Sequence, residues 1–240
     1  FGSILENVII DPLTRAIDWD DDSITENTRA TYPVTYIPGA LETGLGGMPR
    51  NVFLLACDAY GVLPPISKLT PEMASYHFLS GFTAKVAGTE AGCAEPTPTF
   101  SACFGAPFMP RDPVVYADML AERLRTSRTQ IWLVNTGWSG GGCESGRRMP
   151  IEVTRSLLKA ALDGALDGVP MSPDAIFKVE VPAACPGVPA ELLDARSTWT
   201  DPADYDARAA MLAEQFSENF EAFAGRVSSK VAAAGPVTSA

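Results

Sequence analysis

Gln130-Ile131-Trp132-Leu133-Val134-Asn135-Thr136-Gly137, followed by the glycine-rich run Ser139-Gly140-Gly141-Gly142-Cys143-Glu144-Ser145-Gly146 and then by Arg147-Arg148-Met149-Pro150, is the stretch on which the fold is read. The first eight residues hold a short continuous apolar run that ends in polar residues. That is the pattern of a strand buried on both faces of a parallel or mixed sheet. Ile151 to Leu162, stopped at Gly164, reads as a helix. Strand, glycine loop and helix in this order have the layout of a phosphate-binding turn. The Walker pattern, however, needs Gly-Lys-Ser/Thr at the start of the helix, and here Gly146 is followed by Arg147 and Arg148. Glycine loops between strand and helix are common, so the loop by itself leaves nucleotide contact open. Arg148 is the better clue, because arginine offers a delocalised charge and a planar face that suit both a phosphate and an adenine ring.

Working outward, Asn51-Val52-Phe53-Leu54-Leu55-Ala56-Cys57-Asp58-Ala59 is a second run of the doubly buried type. Thr70-Pro71, Asp112-Pro113 and Asp201-Pro202 each place a capping residue before a proline at the first helical position. The first helix runs through Tyr76, Phe78 and Leu79, and the second is expected to carry Val115, Met119 and Leu124 on one face. The last carries Tyr205, Ala209, Leu212, Phe216, Phe220 and Phe223 at spacings of three and four, a core stripe. The opening residues read as a β-hairpin around Asp11-Pro12, and Tyr32 to Ile37 alternates like a strand. Between Thr89 and Pro113 the chain is irregular and rich in Pro, Gly and Thr, and long loops of this kind are often lids or binding loops. Beyond Val227 the tail, residues 228–240, is expected to fray. The sum is an α/β protein with a mixed sheet and no linker dividing independent domains.

Composition narrows the function. With 240 residues, 46% hydrophobic and 20% charged, the chain is neither disordered, coiled-coil nor collagenous. Eighteen basic against twenty-nine acidic residues give a net charge of -11, which argues against a nucleic-acid backbone or an anionic membrane as main partner. An anionic substrate would then need a few arginines to form a local positive site. No apolar run reaches the roughly 18 to 20 residues of a membrane span. Cys57, Cys93, Cys103, Cys143 and Cys185 are far apart and form no Cys-x-x-Cys, so neither a disulfide framework nor a zinc ribbon is indicated, and a reducing cytoplasm is expected. His77 is the single histidine, which excludes a multi-histidine metal site within the chain; among Tyr76, Phe78 and Leu79 it reads as a packed structural residue. Cys103 reads as an inert buried thiol, and Glu90 and Glu95 as solvated loop carboxylates.

Several long segments resemble one family in order along nearly the whole chain, the ATP-dependent phosphoenolpyruvate carboxykinases. They are Glu26-Asn27-Thr28-Arg29-Ala30-Thr31-Tyr32-Pro33, Gly61 to Thr70, Tyr76 to Glu90, Glu95 to Gly105, Val134-Asn135-Thr136-Gly137-Trp138, Cys185-Pro186-Gly187-Val188-Pro189 and Ala234-Gly235-Pro236. The resemblance implies the C-terminal part of the family's catalytic, mononucleotide-binding domain, incomplete and spanning residues 1–240, with a mobile lid over about 89–104. It implies conversion of oxaloacetate and ATP to phosphoenolpyruvate, ADP and CO2 in gluconeogenesis, by a cytoplasmic enzyme that is monomeric when complete. It further implies Mg-ATP and a second divalent ion, Mn2+. Arg29 matches the family arginine that reaches substrate and γ-phosphate. Arg148, the backbone around Met149, and Thr154 match the group that holds the adenine and ribose end of ATP.

The family's Walker-type loop, its metal-binding lysine, histidine and aspartate, and the residues that hold the oxaloacetate carboxylates all belong upstream of the segment matching Phe1. The chain therefore reads as a C-terminal piece that awaits an N-terminal half, carries no metal ligand and has no activity alone. A non-catalytic nucleotide-binding or regulatory module derived from the same fold is the alternative reading. Cys143, Glu144 and Pro150 are local departures from common family versions.

Overall fold

The computed structural model describes residues 2–24, 28–85 and 96–238. The chain packs as two compact units, Phe1–Gly47 with Lys85–Thr97, and Met48–Ala84 with Pro98–Ala240.

The second unit is built on a five-stranded mixed sheet in the order Met171–Pro173, Glu180–Pro182, Ile66–Leu69, Gln130–Asn135, Asn51–Ala56. Gln130–Asn135 is parallel to Asn51–Ala56 and antiparallel to Ile66–Leu69. Successive side chains of a strand point to opposite faces. Accordingly Ile131 and Leu133 enter one core cluster, with Leu54, Leu69, Leu79, Leu212 and Phe216, while Trp132 and Val134 enter another, with Ile66, Leu157 and Leu166. Helices Pro71–Ser80, Pro113–Thr126 and Pro202–Ala224 bury residues in the first cluster and helix Ile151–Leu162 in the second. Burial on both faces thus holds for Gln130–Asn135. For Asn51–Ala56 it is corrected: among the described residues this strand has a partner on one side only, and Leu55 is 55% exposed.

The three capped helices begin where the sequence places them. Thr70 Oγ1 accepts the Met73 N–H, Asp112 the Val114 N–H, and Asp201 the Ala203 N–H. The buried face of Pro113–Thr126 differs from the expected one. Val115 and Met119 are 39% and 51% exposed, and Val114, Ala117, Ala121 and Leu124 face inward. The alanines let this helix come close to Pro71–Ser80, where Ser75 Oγ donates to the Ala117 carbonyl at 3.4 Å. A close helix contact selects small residues over the bulkier apolar ones.

In the first unit Ile9–Ile10 pairs with Ile17–Asp18, the expected hairpin, turned by Asp11 Oδ1 accepting the N–H groups of Leu13 and Thr14. Ile4–Glu6 pairs with Arg29–Thr31. The strand expected at Tyr32–Ile37 is instead a 3-10 turn at Val34–Tyr36, closed by bonds from Tyr36 to Pro33 and from Ile37 to Val34. Pro33 has no N–H to give a sheet ladder, and its fixed φ favours the turn.

Of the segment 89–104, residues 89–95 lie outside the described residues; Thr97–Phe100 pairs with Phe82–Lys85, and Ala102–Phe104 is a 3-10 turn. Where fraying was expected from residue 228, Ser229–Ala232 is a helical turn capped by Ser228, Val231 is buried, and the Val237 N–H bonds to the Ile176 carbonyl at 2.8 Å.

Candidate functional site

The two parallel strands end side by side, Ala56 beside Asn135. Ligands of open α/β sheets gather beyond the carboxyl ends of such strands. At this end the backbone turns sharply, held by two fully buried polar residues, Asp58 and Asn135. The Asp58 carboxylate accepts the N–H groups of Tyr60 (2.8 Å), Val62 (2.7 Å) and Leu63 (2.8 Å). Burial pushes its pKa up, and these amides oppose that shift. Asn135 Oδ1 accepts the N–H groups of Asp58 (3.0 Å) and Gly137 (2.8 Å), while Nδ2 donates to the Leu63 carbonyl (3.0 Å). The segments pass so close that Gly61 and Gly137 have no room for a side chain. A Cβ on Gly137 would overlap the Asp58 backbone, and one on Gly61, whose φ is +75°, would overlap the Gly141 carbonyl.

The glycine-rich run that follows is a β-hairpin. Trp138–Ser139 pairs with Arg147–Arg148 in antiparallel register, Trp138 opposite Arg148 and Ser139 opposite Arg147. Four of its tip amides are bonded within the protein. Cys143 N–H bonds the Ala59 carbonyl (2.8 Å), Ser145 and Gly146 N–H groups bond the Gly142 carbonyl (3.1 and 2.7 Å), and Gly140 N–H bonds Thr198 Oγ1 (3.0 Å). A phosphate cradle needs free amides converging on one point. The phosphate-turn layout read from the sequence is therefore corrected to a hairpin wedged against its neighbours. An ion pair between Glu144 and Arg208 ties its tip to the long helix Pro202–Ala224. The Glu144 carboxyl lies below its ordinary pKa, through its own backbone N–H and then through Arg208.

The hairpin forms one wall of a cavity of about 600 Å³. Ser139, Arg147, Arg148, Met149 and Pro150 line that wall, and Glu191, Leu192, Ser197 and Thr198 line the facing one. Arg148 and Met149, two of the residues singled out in the sequence, thus come together. Met149 is buried and fixed by its N–H bond to the Gly137 carbonyl at 2.8 Å. The Arg148 guanidinium is exposed and stands 5.4 Å from the centroid of the Trp138 ring. Its positive charge also reaches Cys57, whose thiol pKa burial pushes up and Arg148 draws down. Thr154, half-buried in the first turn of helix Ile151–Leu162, does not line this cavity.

Arg29 belongs to the first unit. It sits opposite Glu6 in the strand pair and forms an ion pair with it, Nε to carboxylate 3.0 Å, with both side chains at least half exposed. Among the described residues no three His, Cys, Asp or Glu side chains meet in a group fit to hold a metal ion. No helix of the described residues is long and apolar enough to cross a membrane.

Sequence reasoning missed the facing wall of the cavity. Glu191, Ser197 and Thr198 lie some fifty residues beyond the hairpin, and no spacing links them to it. It also passed over Asp58, although a carboxylate closing an apolar run was its visible trace.

Residues 1–191 match the family model described as phosphoenolpyruvate carboxykinase. The chain is 57% identical over 232 residues to the phosphoenolpyruvate carboxykinase (ATP) of Geotalea uraniireducens, covering 97% of this chain and 44% of the relative. It is 56% identical over 238 residues to that of Thermus thermophilus, covering 99% and 45%, and 56% identical over 237 residues to phosphoenolpyruvate carboxykinase (ATP) 2 of Moorella thermoacetica, again covering 99% and 45%. The chain spans rather less than half the length of these curated relatives. A family model matched over most of the chain, and relatives at this identity along nearly all of it, lead to one conclusion: the chain belongs to the phosphoenolpyruvate carboxykinase family.

Proposed function

We propose that this chain supplies the adenine-holding part of the ATP site of a phosphoenolpyruvate carboxykinase that converts oxaloacetate and ATP to phosphoenolpyruvate, ADP and CO2. The observation that carries this reading is the Arg148–Met149 edge of the hairpin cavity, where a planar cation and a buried apolar side chain share one wall beyond the carboxyl ends of the parallel strands. A purine needs such a setting, an apolar slot with a flat cationic face for stacking. Thr154 is proposed to reach the ribose end from the adjoining helix turn.

In the proposed reaction the C–C bond to the departing carboxylate breaks, and its electron pair stays behind as an enolate. The enolate oxygen then forms a bond to the γ-phosphorus as the bond from that phosphorus to the ADP oxygen breaks. Negative charge moves along this path, and a guanidinium placed on it lowers the barrier electrostatically. Arg29 is assigned this role, on substrate and γ-phosphate. The family activity draws on divalent metal, and among the described residues no three His, Cys, Asp or Glu side chains form a group to hold one. A cytoplasmic, monomeric enzyme of gluconeogenesis is the setting this reading implies. The alternative of a non-catalytic module is not favoured, because the relatives named carry the name of the enzyme.

Calorimetry of ATP with the purified chain tests the adenine site. Arg148→Ala is expected to weaken ATP binding roughly tenfold, in line with loss of a stacked cation; unchanged affinity would reject the site. In a full-length carboxykinase carrying this segment, Arg29→Ala is expected to lower turnover by about 10²- to 10³-fold. Its melting temperature should barely move, since exposed ion pairs contribute little to stability. Wild-type turnover would remove Arg29 from the reaction.

A further inference from the structure

We infer that Trp138 is a positioning residue for the nucleobase, acting through Arg148 as the rear member of an indole–guanidinium–base stack. This rests on the adenine-site reading above and adds a residue to it. Trp138 and Arg148 face each other across the hairpin register, with the guanidinium carbon 5.4 Å from the indole centroid, within cation–π range. Arg148 lines the cavity and Trp138 does not. In the proposed stack the indole occupies one face of the guanidinium and the base takes the other.

A free arginine side chain samples many rotamers, and ordering it on a ligand costs rotamer entropy. An aromatic face behind the guanidinium removes part of that cost before the ligand arrives. The backbone that carries the indole is anchored. The Trp138 N–H donates to the Asp58 carbonyl at 3.1 Å, and Asp58 is the buried carboxylate that clamps the turn from Tyr60 to Leu63. The main chain of Trp138 is thus tied to the strand ends through Asp58. A flat π-system, as in a purine, is the ligand chemistry that such a backed cation selects. A phosphate bonds the N–H edge of a guanidinium and does not use its face.

The test is calorimetry of ADP and of inorganic pyrophosphate with the wild-type chain, Trp138→Leu, Trp138→Phe, Arg148→Ala and the Trp138→Leu/Arg148→Ala double variant, with melting temperature recorded for each. Trp138→Leu is expected to weaken ADP about five- to tenfold, on the scale of one cation–π contact, and to leave pyrophosphate unchanged. Trp138→Phe keeps an aromatic face and should recover most of the loss. On the Arg148→Ala background Trp138→Leu should add nothing, since its effect runs through the guanidinium. Loss of ADP affinity in Arg148→Ala with none in Trp138→Leu would overturn this inference and leave the adenine site standing. Fully additive losses, or equal loss of ADP and pyrophosphate, would reduce Trp138 to a structural residue and overturn it as well. Failure of the wild-type chain to bind ADP would overturn both readings together.

Discussion

Burial sets the chemistry of the side chains that the site does not use. His77 packs edge-on against Tyr76 at 5.7 Å and Phe216 at 5.6 Å, and its Nε2 has no hydrogen-bond partner among the described residues. An imidazolium there would be an uncompensated charge, so desolvation pushes its pKa from 6.5 down to about 4. The sign of the linkage follows. Between pH 6.5 and 4 the unfolded chain binds a proton that the folded chain refuses, so stability is full above 6.5 and falls as the pH drops through this window. The loss approaches about 3 kcal/mol from this residue. Asp58 and Asp174 have raised pKa values, chiefly from burial, and act in the opposite sense. The contribution of His77 is therefore isolated by difference. Urea unfolding of wild type and His77→Phe, which keeps a ring for both edge contacts, should diverge from pH 6.5 to 4, the variant losing less. Parallel profiles would show that the histidine does not hold itself neutral. Cys103 obeys the same rule, its thiol pushed up to about 11 by burial and then by Asp112, and is the inert thiol its aromatic neighbours indicate.

At the scale of elements, local signals and long-range contacts separate cleanly. Thr70, Asp112 and Asp201 announce their helices because a cap is a bond between near neighbours, and the stripe from Tyr205 to Phe223 announces its buried face because no other helix face competes with it. The hairpin was not legible. A glycine run between strand and helix reads the same whether its amides are free or bonded, and those of Gly140 and Cys143 are bonded to Thr198 and Ala59, whose proximity only the fold creates. The strands Met171–Pro173 and Glu180–Pro182 are too short to carry a period, and Ile66–Leu69, with four residues, barely carries one. Arg148 was legible by residue type, whereas its stacking partner needed the register. The contact that positions this hairpin gives an element-scale prediction. Gly61→Ala must both adopt φ +75° and displace the Gly141 carbonyl, at a cost of about 1 to 3 kcal/mol. It should therefore lower the melting temperature and weaken ADP binding together. Thr70→Ala, a loss of about 1 kcal/mol at a cap that does not line the cavity, should lower stability alone. If Gly61→Ala melts early yet binds ADP as wild type, the hairpin does not depend on that contact.

Across the second unit, one side chain joins most of the layers. Phe216 is fully buried in the long helix, and its ring meets Phe82 (5.1 Å), Phe100 (5.2 Å), His77 (5.6 Å), Tyr76 (6.3 Å) and Phe177 (6.4 Å). Those partners come from helix Pro71–Ser80, from the strand pair Phe82–Lys85 and Thr97–Phe100, and from the approach to Glu180–Pro182. The surroundings are themselves close-packed rings, which cannot all collapse into the space one phenyl leaves, so the penalty includes a cavity as well as lost transfer energy. Phe216→Ala is expected to cost about 3 to 5 kcal/mol, a large share of the roughly 5 to 15 kcal/mol that holds a domain together. At a fall of about 2 to 4 °C per kcal/mol for a body of this size, calorimetric melting should drop by roughly 10 °C. Phe108, 83% exposed, supplies the control, and its alanine variant should melt with the wild type. A loss below about 1 kcal/mol in Phe216→Ala would mean that the aromatic cluster repacks freely. The long helix would then be anchored chiefly by Tyr205, whose hydroxyl bonds the Val62 carbonyl at 3.1 Å near the turn that Asp58 clamps.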